Sequence, residues 1–297
     1  MHLQFAHYRN RFCMFRSYYA LATGIVQPAG HTMSVTEVPD PPSHALEQML
    51  IAGELHAANL YLPNFLARTL EGAPLVGIAT EWKSTLKGNG LFVRADGPIQ
   101  TPADLAGRRI ASHHSTPHVT HRYLLKHRYG VDEASLRWES YPQEVLLDVL
   151  ESDRADAVVL IDQFFFRGEQ APGVRCLYSD GEAWQALTGY PEMIKHIVAV
   201  REPWLREHPE MRAVLLDAFR ASVAYSEQHL PEIADAFIAR YGGERELVLA
   251  SARYPRIEFT WTDTEQGIAT AEQAMLVEMD EVARAQPITP LFVGEPA

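Results

Sequence analysis

This sequence is short of cysteine, of net positive charge and of long apolar runs, and each shortage removes a class of function. Only Cys13 and Cys176 occur, so a disulfide framework is not expected, and no CxxC or HExxH spacing marks a structural zinc site or a zincin. Each thiol reads as a small buried hydrophobe. The 26 Lys and Arg residues face 38 Asp and Glu, a net charge of −12. A nucleic acid or an anionic membrane would demand a basic footprint, so neither is expected as a partner. A small anion stays open, because screening lets a local arginine cluster act independently of a distant acidic surface. No segment reaches the ~18 apolar residues of a membrane span. The opening, MHLQFAHYRN, has no cationic region, apolar stretch or small-residue cleavage site, which predicts a soluble, cytoplasmic protein.

What is present is an alternation of strands and helices. His2 to Tyr8 and Thr32 to Val38 read as strands, with an aromatic-rich helix over Phe12 to Ala22 between them. Ser43 is placed to cap a helix running to about Ile51. Glu54 to Asn59 reads as a strand, Leu62 to Leu70 as a helix, Leu75 to Thr80 and Gly90 to Arg94 as strands, with Glu81 to Asn89 as a polar crossing. Ala157 to Leu160 is short and wholly apolar, as a strand buried on both faces should be. His196 to Val200 is a further strand, and helical spacing dominates from Pro203 onward. Sequential βα units imply parallel strands with right-handed crossovers. Two α/β lobes are expected, with 1–88 in the first, 89–195 in the second, and 196–297 returning to the first. Ligand would bind between them, at the carboxyl ends of the strands.

The stretch GPIQTPADLAGRRIASHHSTPHVT, 97–120, shows this grammar most clearly. Pro102 opens a short helix and Gly107 closes it. Arg108 to Ala111 is a strand, and the turn after it carries His113, His114, Ser115 and Thr116 just before a helix. Anions and polar ligands collect at such a helix N-terminus. The two histidines are candidate acid–base groups, since imidazole titrates nearest neutrality; solvated side chains beside a Ser115 or Thr116 cap are the other reading. Arg9, Arg11 and Arg16 cluster after the first strand, where guanidinium groups would grip a carboxylate. His44 precedes an apolar helical run, Lys87 lies in the polar crossing, Asp162 and Gln163 follow the buried strand, and His196 lies on the return crossing. Each has both a binding and a structural reading. The run Phe164 to Phe166 is most simply packing.

The pattern LFVRADGPIQTPADLAGRRIAS, with ADAVVLID downstream, resembles the type II periplasmic solute-binding fold. It is similar to the branch of nitrate, sulfonate and thiamine-precursor binding proteins. Four further blocks resemble 4,5-dihydroxyphthalate decarboxylases: ALATGIVQPAGHTMSVTEV, YLLKHRYGVDEASLRW, MIKHIVAVREPWLREHPEMRAVLLDAFRAS and ITPLFV. The chain departs from that family at RNRFCMFRSYY and at AANLYLPNF, which contains Asn59. Both departures fall where ligand should sit. Cys13 and His44 lie near the cysteine and histidine of aromatic desulfinases, Cys13 offset by two residues, but that family's arginine–glycine–glycine sulfinate site is missing. The cysteine-rich motif of thiamine-pyrimidine synthases is missing too.

The resemblance implies a decarboxylase of a hydroxylated aromatic carboxylate, without cofactor or assisted by a divalent metal. Arg9, Arg11, Arg16, Asn59, Lys87, Ser115, Thr116, Asp162 and Gln163 would bind substrate, with His44, His113, His114 or His196 as acid or base. The alternative is the solute receptor of an importer for an aromatic or sulfonate anion. The partner expected in either case is a small anionic aromatic molecule, with a homo-oligomer open.

Overall fold

A computed structural model describes residues 1–9, 11–39, 44–113 and 116–293. The chain runs β1 (His2–Tyr8), α1 (Phe12–Ala22), β2 (Thr32–Val38), α2 (Ala45–Ala52), β3 (Ala57–Tyr61), α3 (Leu62–Leu70), β4 (Leu75–Ser84), β5 (Asn89–Arg94), β6 (Arg109–Ser112), α4 (Thr116–Tyr129), β7 (Arg137–Ser140), α5 (Leu146–Glu151), β8 (Ala157–Ile161), α6 (Asp162–Gln170), β9 (Val174–Ser179), α7 (Asp180–Thr188) and β10 (Met193–Arg201). It ends with α8 (Glu202–Glu207), α9 (Met211–Gln228), α10 (Leu230–Tyr241), α11 (Arg245–Ser251), β11 (Arg256–Ile257) and α12 (Asp263–Glu278). Two compact units result: 1–83, 194–252 and 256–297 in the first, 84–193 and 253–255 in the second.

The first unit is built on a six-stranded sheet in the order β11-β4-β10-β3-β1-β2. Its central strands are buried along their length, β3 at all five residues and β4 at all ten. Such strands need apolar residues on both faces, so any polar side chain in them must find a partner indoors. β1 pairs in parallel with β2 and β3 through βαβ crossovers. α1 covers β1, with the Phe5, Tyr18 and Phe219 rings in mutual contact at 4.5 to 5.5 Å. Phe12 closes the other side of α1 against Phe237 of α10. α2 stops at Gly53, which takes φ +81 and lies so close to the Arg201 guanidinium that a Cβ would collide with it. α12 starts with a reciprocal Thr262–Glu265 capping box.

The second unit holds a five-stranded sheet in the order β7-β6-β8-β5-β9. The 97–120 stretch forms a 3-10 turn over Pro102–Leu105, capped by Thr101 and Asp104, and then β6. The phenylalanine run packs: Phe165 meets Phe92 at 5.2 Å, and Phe166 stacks on Tyr254 at 5.0 Å.

The expectation of parallel strands throughout needs correction. β10 runs antiparallel to β3, β11 to β4, and β5 to both β8 and β9. β5 and β10 each enter their sheet directly from a strand or segment of the other unit, without the crossover helix that a parallel neighbour requires.

Candidate functional site

The carboxyl ends of β1 and β3 and the middle of β10 bring a set of polar side chains together in the first unit. β3 holds Asn59 with no exposed surface. Its amide bridges two titratable groups: Oδ1 accepts from His196 Nδ1 at 2.8 Å, and Nδ2 donates to Glu81 Oε2 at 2.5 Å. The same Nδ2 donates to the Tyr18 hydroxyl at 3.4 Å. These contacts orient the amide, and they fix the neutral imidazole as the tautomer with hydrogen on Nδ1. His196 Nε2 then carries the lone pair, and it is buried with no hydrogen-bond partner. Ser17 and Tyr18 also reach the Glu81 carboxyl, yet its Oε1 has no partner of good hydrogen-bond geometry.

Burial decides the charge states. Desolvation pushes the Glu81 carboxyl up to about 7, against the opposing pull of Ser17, Asn59 and the Arg16 guanidinium. Desolvation drives His196 well below its usual range, and the nearby Arg11 charge adds to this. Burial also raises the Tyr18 phenol well above its usual value, so it stays protonated. Near neutrality the cluster therefore holds a carboxyl poised to gain or lose a proton and an imidazole held neutral. Aromatic rings wall His196: Tyr61 at 4.3 Å, Trp82 at 5.1 Å and Tyr8 at 6.3 Å between centroids. Tyr8 donates to Glu47 at 3.2 Å, and Glu47 also takes Asn64 at 2.5 Å.

Arg11 occupies the N-cap of α1 in an extended conformation, with no side-chain cap bond to the first turn. Both Arg11 and Arg16 are 8% exposed. Arg9 is exposed at the surface, so of the expected arginine cluster Arg11 and Arg16 are the buried members. The first unit thus assembles Arg11, Arg16, Asn59 and His196 from the expected residues. His44 also lies in it, as the N-cap of α2 in the left-handed conformation at φ 46. Ser43 lies outside the described residues.

The remaining candidates belong to the second unit. Lys87 is half-exposed and 3.7 Å from Glu169. His113 follows the last residue of β6 and is half-buried. His114 and Ser115 lie outside the described residues, and of Thr116 only its place as first residue of α4 is described. Asp162 opens α6 at φ 50, its backbone N–H donating to the Gly88 carbonyl at 2.9 Å, with half-buried Gln163 beside it. One turn apart on α4, His118 meets the Trp138 ring edge-on and His121 bonds the Tyr178 hydroxyl at 2.9 Å. Among the described residues, no group of three or more His, Cys, Asp or Glu is arranged to hold a metal ion.

Glu81, Tyr18, Tyr8 and Trp82 escape the sequence reading. Glu81 and Trp82 fall in the expected polar crossing, but β4 continues through Ser84 and buries them. The available signal is the unbroken apolar lead-in LVGIA before TEWKS, which favours continuing the strand.

A family model described as NMT1/THI5 like matches residues 18–233. The 4,5-dihydroxyphthalate decarboxylase of Comamonas testosteroni is 25% identical over 208 residues, 58% of this chain and 62% of that protein. The chain thus matches less than two thirds of that relative's length. Among solved structures, the periplasmic aliphatic sulphonate binding protein of Escherichia coli superposes with a TM-score of 0.78 at 16% identity, covering 100% of this chain and 92% of that one. The alkanesulfonate-binding protein of Xanthomonas axonopodis pv. citri, bound to MOPS, gives 0.75 at 13% identity and 98% of each chain. The fold is therefore the two-lobed α/β fold of periplasmic binding proteins. The expectation of a cytoplasmic location is corrected by the same finding: the Escherichia coli protein that shares this fold is periplasmic, so the fold does not call for the cytoplasm. The opening residues carried that expectation, and a chain's first residues in a given sequence do not report what precedes them.

Proposed function

This chain belongs to the NMT1/THI5-like family, and from that premise we propose that it binds a small aromatic acid at the Arg11–His196 cluster and decarboxylates it. The observation that carries this reading is the Glu81–Asn59–His196 chain, in which a carboxyl near pH 7 and a neutral imidazole each keep one atom unbonded. A receptor needs neither. The relative from Comamonas testosteroni, named a 4,5-dihydroxyphthalate decarboxylase, suggests a hydroxylated ring as substrate.

Arg11 and the positive end of α1 would hold a carboxylate. The Tyr8, Tyr61 and Trp82 rings would take the apolar faces of the substrate. His196 Nε2 accepts the phenolic proton, and electron density moves to the ring carbon bearing the departing group. Protonated Glu81 delivers its proton to that carbon. The bond to the carboxylate then breaks, its electron pair restores the aromatic ring, and carbon dioxide leaves. The imidazolium returns its proton to the phenolate, and Glu81 regains one from solvent, so each turnover consumes one proton. Asn59 holds both groups in register as a positioning residue.

The test is carbon dioxide release from 4,5-dihydroxyphthalate and related hydroxylated aromatic acids by the purified protein. Activity that Glu81→Gln and His196→Gln both remove supports the reading. Stabilisation by these acids with no turnover sinks it and favours the second reading, a solute receptor, which the fold likeness to sulfonate-binding proteins supports.

A further inference from the structure

A second recess in the first unit lies beside β1 and β2, under α1 and the end of α10. It is a cavity of about 200 Å³ walled by the Phe15, Tyr18 and Tyr19 side chains and Val35, with the exposed Ala22 and Thr23 at its edge. A cavity of roughly 150 Å³ is enough for a benzene ring, so one ring fits here. His7, 2% exposed, lies in its lining. His7 Nδ1 donates to the Tyr8 carbonyl at 2.9 Å, which leaves the lone pair on Nε2. Burial lowers the tendency of this ring to protonate. Glu37, the cross-strand neighbour of His7, also lines the cavity. Its charge is already answered by an ion pair with Arg240 and by the Tyr241 hydroxyl at 2.5 Å. The recess therefore offers aromatic walls, one neutral acceptor and no uncompensated charge.

We infer that this cavity is a separate small-molecule site for a neutral single-ring compound that carries one O–H or N–H donor. The donor would bond His7 Nε2 while the ring packs against Phe15, Tyr18 and Tyr19. None of Arg11, Glu81 and His196 lines this cavity, and Tyr18 is the side chain it shares with the proposed active site.

Titration of the whole protein with phenol, toluene and benzoate, followed by ligand-observed NMR, tests it. Phenol is expected to bind about tenfold more tightly than toluene, the worth of one hydrogen bond, and benzoate more weakly than phenol. His7→Phe should erase the preference for phenol over toluene. Ala22→Phe, at an exposed helix end that tolerates a larger side chain, should block both by filling the volume. His196→Gln should leave phenol binding intact. The inference is overturned if phenol and toluene bind alike, if no saturable binding occurs, or if His196→Gln removes phenol binding while folded His7→Phe and Ala22→Phe proteins keep it.

Discussion

The surface ion pairs of the second unit and the buried cluster of the first treat charge differently. In the second unit, the ion pairs Lys87–Glu169, Arg109–Asp156 and Arg122–Glu133 keep part of their surface in water. Such pairs contribute little to stability. In the first unit, Glu81, Asn59 and His196 have no exposed surface, and Lys83, 2% exposed, reaches Glu265 at 2.6 Å. Burial there sets protonation states, and that is the environment in which a carboxyl and an imidazole acquire opposite roles at one pH. Acid–base chemistry in this chain is thus expected from the first unit.

The sharpest way to break that contrast is catalytic. His196→Gln and Glu81→Gln should each lower the rate of carbon dioxide release by about 10²- to 10⁴-fold, whereas Lys87→Ala, in the second unit, should leave kcat nearly unchanged. An equal kcat loss at Lys87 would end the contrast.

Stability comes next. Lys83→Met leaves Glu265 buried without its cation and should cost about 3–5 kcal/mol, read from the urea midpoint. The double replacement with Glu265→Gln should recover part of this, because it removes both charges. A loss under about 1 kcal/mol would show that water reaches the pair.

pH then separates Glu81 from His196. The folded protein keeps a proton on Glu81 up to about pH 7, while the unfolded chain releases it near 4.5. Stability therefore falls as pH rises through that window, by about 3 kcal/mol in all. Glu81→Gln should be more stable than the parent at pH 8 by about that amount and nearly equal to it at pH 4. His196 works oppositely. Its folded pKa lies well below 6.5, so stability is present above that value and is lost as pH falls beneath it. Below pH 6.5 the His196 slope opposes that of Glu81, so urea midpoints should vary less with pH in the parent than in His196→Gln.

The smallest effect belongs to the surface. Removing the Lys87–Glu169 pair should change stability by less than about 0.5 kcal/mol, measured by thermal melting.

Local signals explain what the sequence reveals. α3 begins at Leu62 and ends at Leu70, where the proline and the apolar spacing place it. α1 and β2 also fall on the residues that periodicity marks. Arg11, Asn59 and His196 stand out in the sequence because they lie at the ends of the expected strands, although Asn59 and His196 fall inside β3 and β10. Glu81 is not readable, because its burial depends on partners far along the chain: Asn59 is 22 residues away and Tyr18 further still. Lys83 shows the same difficulty, being matched by Glu265 across 182 residues. A charged residue in a strand looks like solvent exposure until the partner is known. The α7 helix is similarly hidden, since DGEAWQALT begins with two residues that favour turns.

Tyr18 belongs to two places at once. Its ring forms part of the wall of the His7 cavity, and its hydroxyl takes a hydrogen from the Asn59 amide. A rigid phenol cannot move at one end only. A molecule that tightens the ring against the cavity wall would bias the position of the hydroxyl, and with it the amide that aligns Glu81 and His196. Thermodynamic reciprocity requires the reverse as well: whatever factor a cavity occupant imposes on affinity at the carboxylate site, a bound acid must impose on affinity for that occupant. One side chain would make each compartment a reporter of the other's occupancy.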